Sequence, residues 1–228
     1  MKRIAFVISA LLLVATPRAA QAQSAKPFGE RAHTVIVVDN LAGAMHSSFK
    51  LSNDSSSSSG TSNTADDGIT GIGTSSGVYA LSPISRFGVH QFVGGGVSLG
   101  LGVHWSYHSA SLSGPGGTTL LGLSPRIGFA IPLNDTTALW LRVGVTYLHY
   151  DYSGVLGASE YDVMPGGELF LVYTPVPHFG ITFGPTAEIG VAGKFSFSGS
   201  VFGNGATPPD LTVRRKMYGL SVGFLFDL

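Results

Sequence analysis

The triplet His104-Trp105-Ser106 sets an imidazole and a hydroxyl two residues apart. On a β-strand, residues i and i+2 share a face, so the histidine is placed to act as base to a serine nucleophile. The sequence puts no obvious carboxylate beside this pair to orient the imidazole. The other histidines are His33, His46, His90, His108, His149 and His178. His104 and His108 share a face but lie ~13 Å apart at ~3.3 Å per residue, too far to grip one ion. Cys is 0, which removes disulfides and thiolate metal sites. The expectation is no metal, no cofactor and no catalytic residue, so the chain reads as a non-enzyme.

A second group carries charge rather than nucleophiles: Arg86, Arg126, Arg142, Glu168, Glu188 and Asp227. Each is an isolated charge on a strand face otherwise made of Gly, Ser, Thr and Ala. Such a set can relay protons or ions, or it can be a structural network of paired charges. The structural network is the expected role, because paired and hydrogen-bonded charges are tolerable in an interior where lone ones are not.

The elements that would position these residues are strands. The last stretch, Tyr218–Leu228 (YGLSVGFLFDL), alternates Tyr218, Leu220, Val222, Phe224, Phe226 and Leu228 against small or polar residues. It ends a strand expected over about 211–228, and seven earlier stretches behave similarly, at about 32–51, 74–87, 92–109, 118–132, 137–152, 164–175 and 179–197. The first is untidy, and Trp140 breaks the pattern of its face. Tight connections are expected at Gly88–Gln91, Leu133–Thr136 and Val176–His178. Long ones are expected at Ser52–Gly73 (with the run Ser55–Ser59), Leu112–Gly117, Ser153–Val163 and Ser198–Asp210. Short and long connections therefore alternate, as in barrels with short periplasmic turns and long outer loops.

Which face points inward follows from chemistry. Glycine and isolated charges cannot make a soluble core, and the large apolar residues would then face water as one aggregating surface. Turned toward lipid, the apolar face is satisfied, and eight strands enclose a lumen that side chains can fill. Trp105, Tyr107, Tyr147 and Tyr150 near the long loops, and Phe87, Phe92, Phe179, Phe224 and Phe226 near the short turns, suit interface girdles. Composition agrees: charged residues are 11%, Gly numbers 32, and mean hydropathy is +0.30. Residues 1–22 read as a signal peptide, with Lys2-Arg3, an apolar core and Ala20-Gln21-Ala22. Residues 23–228 form one barrel domain. Without the leader's three basic residues, ten basic face 13 acidic, and no nucleic-acid partner is indicated.

Leader, alternating strands and aromatic-rich final strand resemble the small eight-stranded outer-membrane proteins of Gram-negative bacteria, of the OmpA-transmembrane-domain and OmpX type. The segment Leu123–Tyr147, LSPRIGFAIPLNDTTALWLRVGVTY, is similar to the central hairpin of the "outer membrane beta-barrel" family. The resemblance implies an all-β, eight-stranded antiparallel up-and-down transmembrane barrel in the bacterial outer membrane, with its long loops extracellular. It implies two partners, outer-membrane lipid and the barrel-assembly machinery, and identifies no extracellular one. It also implies an assembly signal in Tyr218, Phe224, Phe226 and Leu228, although this chain ends in leucine where the family usually ends in an aromatic. The expected role is structural or surface interaction, with a lumen plugged by polar side chains rather than an open pore. Two alternatives stand beside it. Outer-membrane lipid A deacylases are similar barrels with a His-x-Ser pair, which would give His104 and Ser106 a lipid-modifying role. A soluble secreted barrel binding a small apolar ligand is the other.

Overall fold

The computed structural model describes residues 27–29, 32–52, 62–70, 85–110, 116–153, 157–198 and 209–228. The leader, the Ser55–Ser59 run and most of the expected strand 74–87 lie outside these residues. The strands are β1 (Thr34–Ser52), β2 (Ser62–Thr70), β3 (Arg86–Gly94), β4 (Val97–Ala110) and β5 (Gly116–Asn134). They continue as β6 (Thr137–Ser153), β7 (Ala158–Val176), β8 (Phe179–Ile189), β9 (Ala192–Phe197) and β10 (Leu211–Asp227).

All pairings are antiparallel, and β10 pairs with β1 from Val35↔Asp227 to Ser52↔Thr212, which closes the sheet into a ring. Two wall positions are each shared by two strands. β3 pairs with β1 over Thr34–Asp39, and β2 pairs with the same side of β1 over Gly43–Leu51. β8 is interrupted at Gly190–Val191 and resumes as β9, which pairs with β7 and β10. The ring therefore has eight positions among the described residues: an up-and-down transmembrane β-barrel.

The first tight turn differs from its expected place. Gly88–Gln91 is strand, not turn, and the chain reverses at Gly95-Gly96 instead. Gly94, Gly95 and Gly96 have φ of 107°, 61° and 81°, which residues with a Cβ rarely adopt, so the turn goes where the three glycines are. The other two turns lie at 135–136 and 177–178, on the same rim. At the opposite rim, the fifth expected connection shrinks to residues 154–157, because β7 begins at Ala158 rather than near residue 164.

Alternation sorts the side chains. On the outside are Leu99, Leu101, Trp105, Leu121, Leu123, Ile127, Phe129, Leu141, Val143, Tyr147, Phe183, Leu220, Phe224 and Phe226, all exposed. Inside are Arg86, His104, Arg126, Arg142, Asp162, Glu168 and Arg215, all buried. This is the inverse of a soluble barrel, which would have its apolar face within. Three aromatics depart from the expected girdles. Phe92 is buried in the interior, and so is Tyr150; Phe87 faces outward at mid-wall, between Val38 and Val103.

β1 is untidy for a visible reason. Its register with β10 shifts between Val38 and Ala42, where two extra residues bulge and Asn40 takes φ 59°. Ser221 Oγ donates to Asn40 Oδ1 at 2.6 Å across the bulge.

Candidate functional site in the barrel interior

β6 crosses the lumen from rim to rim, and its inward residues read off the layers: Trp140, Arg142, Gly144, Thr146, Leu148, Tyr150 and Tyr152. The lowest layer, at the short-turn rim, is aromatic. Trp140 is fully buried, with ring contacts to Phe28 at 5.4 Å, Phe92 at 5.6 Å and His90 at 4.7 Å. Its Nε1 donates to Ser98 Oγ at 3.2 Å. Trp140 breaks the small and polar pattern of its own, inward face because it belongs to this floor. Phe28 comes from before β1, and Gly29 O accepts from Gly96 N at 3.0 Å, so the segment preceding the barrel is tied beneath it.

Above the floor lies a charge layer. Arg86 donates to Asp39 Oδ2 at 2.8 Å and contacts Glu168 Oε1 at 2.6 Å. Arg142 lies 3.0 Å from Asp39 Oδ1 and 2.6 Å from Glu168 Oε2, and its guanidinium stacks between the Trp140 and Phe170 rings at 4.6 and 4.5 Å. Arg126 reaches Glu168 at 3.4 Å and Glu188 at 2.6 Å. Three cations thus meet three carboxylates. Four of these charges, Arg86, Arg126, Arg142 and Glu188, lie where the chain can spare volume. Arg126 is in register with Gly100 and Gly144, Arg142 with Gly128, and Glu188 with Gly166. A Cβ on Gly102 would come 2.5 Å from Arg86 Cδ, and one on Gly166 would come 2.6 Å from Glu188 Cγ. The inner glycines are the sockets of the network.

Five of the six charges singled out in the sequence come together here. Asp227 does not: it sits at the short-turn rim, 3.8 Å from His33 Nε2. The sequence reading missed Asp39, whose inward position is hidden by the apolar run around it and by the bulge after it. It also missed an upper polar group. Arg215 contacts Asp162 at 3.2 Å, pairs with Glu160, and donates to Tyr150 Oη at 2.6 Å. Tyr152 Oη donates to Glu160 at 2.8 Å. Arg215 lies within the expected last strand, 211–228, and the inward parity of Ser221 and Gly223 carried back along it puts Arg215 inside. Between the two polar layers lies an apolar one of Leu120, Leu148 and Met164, all fully buried.

His104 is buried, and its Nε2 meets Ser124 Oγ at 2.7 Å rather than pairing with Ser106. Ser124 contacts Thr146, which donates to Glu188 at 2.5 Å. Along this path the carboxylate of Glu188 lies beyond the two hydroxyls, on the side of the imidazole's Nε2. Ser124 and Thr146 are fully buried, out of reach of a lipid substrate. Among the described residues no three His, Asp or Glu side chains are grouped to hold a metal ion.

The proposed assembly residues Tyr218, Phe224, Phe226 and Leu228 are all exposed on the outer face. Phe179 touches both Phe224 and Phe226, at 5.7 and 5.6 Å.

No sequence-family model matches the chain, and no curated protein matches it. Solved structures do. The outer membrane protein OprG from Pseudomonas aeruginosa is similar at 16% identity, over 88% of this chain and 99% of that one, with a TM-score of 0.52. Neisserial surface protein A (NspA) is 11% identical over 86% of this chain and 99% of its own, with a TM-score of 0.45. Ail, the attachment invasion locus protein of Yersinia pestis, is 12% identical over 86% and 100%, with a TM-score of 0.39. The likeness to OprG, together with the closed ring and its inverted faces, shows the fold: that of a small eight-stranded outer-membrane β-barrel.

Proposed function

We propose that this chain is a bacterial outer-membrane protein with a structural or surface-interaction role and a plugged lumen. It would be exported by residues 1–22 and inserted by the barrel-assembly machinery through the outer face of β10. Its longer connections would then face the cell exterior, where an extracellular partner would meet them. The observation that supports this reading most is the layering of the interior. An aromatic floor, a balanced charge layer, an apolar layer and an upper polar layer follow one another along β6. A conduction path needs a continuous wet route, and the apolar side chains of Leu120, Leu148 and Met164 weigh against one. His104 is held by Ser124, and no lipid-modifying role is assigned to it.

The test is conductance of the purified barrel in planar bilayers. The expected outcome is a silent membrane under conditions where an open porin of similar purity conducts. Steady single-channel steps that persist in independent preparations would overturn the plugged reading. Recovery of the protein from soluble periplasm rather than outer membrane would overturn the location.

A further inference from the structure

Along the outer face of β10 the chemistry changes once. From Leu228 to Tyr218 the outward residues are apolar, with Leu228, Phe226, Phe224, Leu220 and Tyr218 all exposed. The ten residue-to-residue steps from Tyr218 to Leu228 span ~33 Å of strand at ~3.3 Å each, or ~25 Å of height at a tilt of ~40°, which is the height of a barrel's apolar band. The next outward residues are Lys216 and Arg214, both exposed.

Lys50 on β1, also exposed, stands directly opposite Arg214, and Ser48 stands opposite Lys216. Directly opposed like charges destabilise a strand pair. Among the described residues no carboxylate pairs with Lys50, Arg214 or Lys216, although Arg214 also donates to the Val191 carbonyl. The neighbouring cation differs. Lys194 on β9 is held by Asp210 at 2.6 Å, a hydrogen bond that raises the lysine's pKa and lowers the aspartate's. Below the three cations the rings of His46 and Tyr218 pack at 4.9 Å, and Ile189 and Val191 are exposed. On the other side of the barrel, at β6, the corresponding rim carries the exposed Asp151 with His149 instead.

We propose that Lys50, Arg214 and Lys216 form a binding site for the net-anionic, phosphate-bearing headgroup of a membrane lipid, whose acyl chains lie against the apolar face of β10 below. Three cations with no carboxylate partner among the described residues stand one row above the hydrocarbon edge, where lipid phosphates sit, and a bound phosphate removes the repulsion between Lys50 and Arg214. The lipid is that of the leaflet on the long-loop side. The site rests on the membrane-spanning reading above.

The experiment uses delipidated full-length barrel in neutral detergent, wild type and the triple variant Lys50→Gln, Arg214→Gln, Lys216→Gln. Each is incubated with bisphosphorylated lipid A, with phosphatidylcholine, or with inorganic phosphate, then repurified and assayed for retained phosphorus. At ~1 kcal/mol per cation, the variant should retain the phosphorylated lipid at least about tenfold more weakly. Wild-type retention should fall with salt, and phosphatidylcholine should be retained equally poorly by both proteins. In neutral detergent alone the variant should unfold at the same or a higher urea concentration, because repulsion has been removed. If the triple variant does not migrate as a folded barrel before boiling, Lys216→Gln alone is read the same way. Equal lipid retention by both proteins would overturn the site, as would complete displacement of lipid by millimolar phosphate, which would mark a site for free anions. Failure of both proteins to float with vesicles would sink the membrane reading and this site with it. Flotation of both with equal lipid retention would sink the headgroup site alone.

Discussion

Arg142 is fully buried and touches everything that defines its layer: Asp39 and Glu168 by charge, Trp140 and Phe170 by ring faces. A guanidinium suits this position where an ammonium would not, because its flat faces stack while its edge meets two carboxylates. Replacing it with methionine keeps most of the volume but leaves three carboxylates with two cations. Breaking a buried pair from one side costs about 3–5 kcal/mol, so Arg142→Met should be destabilised on that scale in urea unfolding from lipid vesicles. Adding Glu168→Gln restores the balance, with Arg86 and Arg126 facing Asp39 and Glu188. The double variant should therefore lose clearly less than the two single losses added together. Strict additivity would mean that the layer is a collection of independent contacts rather than one network. The sequence made most of this layer legible, because lone charges among glycines on a strand face have few other places to go. Asp39 was not legible, because a bulge cannot be read from alternation when the residues before it are all apolar.

At the scale of the strand, period-2 alternation carried β4 to β6, β10 and the part of β7 from Met164 well, since each has one lipid face and one lumen face, but not the stretch of β7 that holds Glu160 and Asp162. It failed at β3. Gly88 and Gln91 flank a histidine and look like turn residues, yet Gly88 and His90 point inward and Gln91 sits at the rim. There Gln91 Nε2 donates to the His33 and Phe92 carbonyls. Three consecutive glycines outrank a single one as a turn signal, and weighing them would have corrected the placement. The break of β8 at Gly190–Val191 reverses the parity: Phe183 and Ile189 face outward before it, whereas Lys194 faces outward and Phe195 inward after it, so one unbroken period over 179–197 does not hold. The last strand makes a prediction of its own. Phe224, Phe226 and Leu228 share the outer face, and Phe179 on β8 packs on both phenylalanines, so this edge is formed by the end of the chain and its neighbour. Changing Phe226 and Leu228 together to serine removes exposed apolar area but no interior contact. The folded barrel should tolerate it, while outer-membrane insertion in cells should fall several-fold, read as the fraction that shifts in mobility on boiling. Normal insertion of the double variant would remove the assembly role from this face. Equal loss of refolding into vesicles in vitro would assign the defect to folding instead.

The molecule as a whole has two unlike rims. One is closed by the turns at 95–96, 135–136 and 177–178, by Phe28 beneath the aromatic floor, and by backbone bonds from Leu228 to Thr34 and from Asp227 to His178. The other is where strands run past the apolar band: Tyr152 and Phe195 pack 5.6 Å apart, Lys194 pairs with Asp210, and the cations of β1 and β10 stand outward. A barrel inserted by its C-terminal strand leaves the rim with the ends of the wall on the inner side and sends the longer connections outward. The strands joined by the Ser52–Ser62 connection, which contains the serine run, meet at this second rim, which is the outer one under the proposed reading. Protease added to intact cells should therefore cut within this connection and leave a membrane-embedded fragment that begins near β2, while the 135–136 and 177–178 turns stay uncut until the outer membrane is permeabilised. Insertion of a specific cleavage sequence between Ser55 and Ser59 makes the site unambiguous without touching a described strand. Cleavage only after permeabilisation would invert the barrel, place the paired termini of the wall outside, and move the lysine and arginine patch to the opposite leaflet, where its ligand would have to be a different lipid.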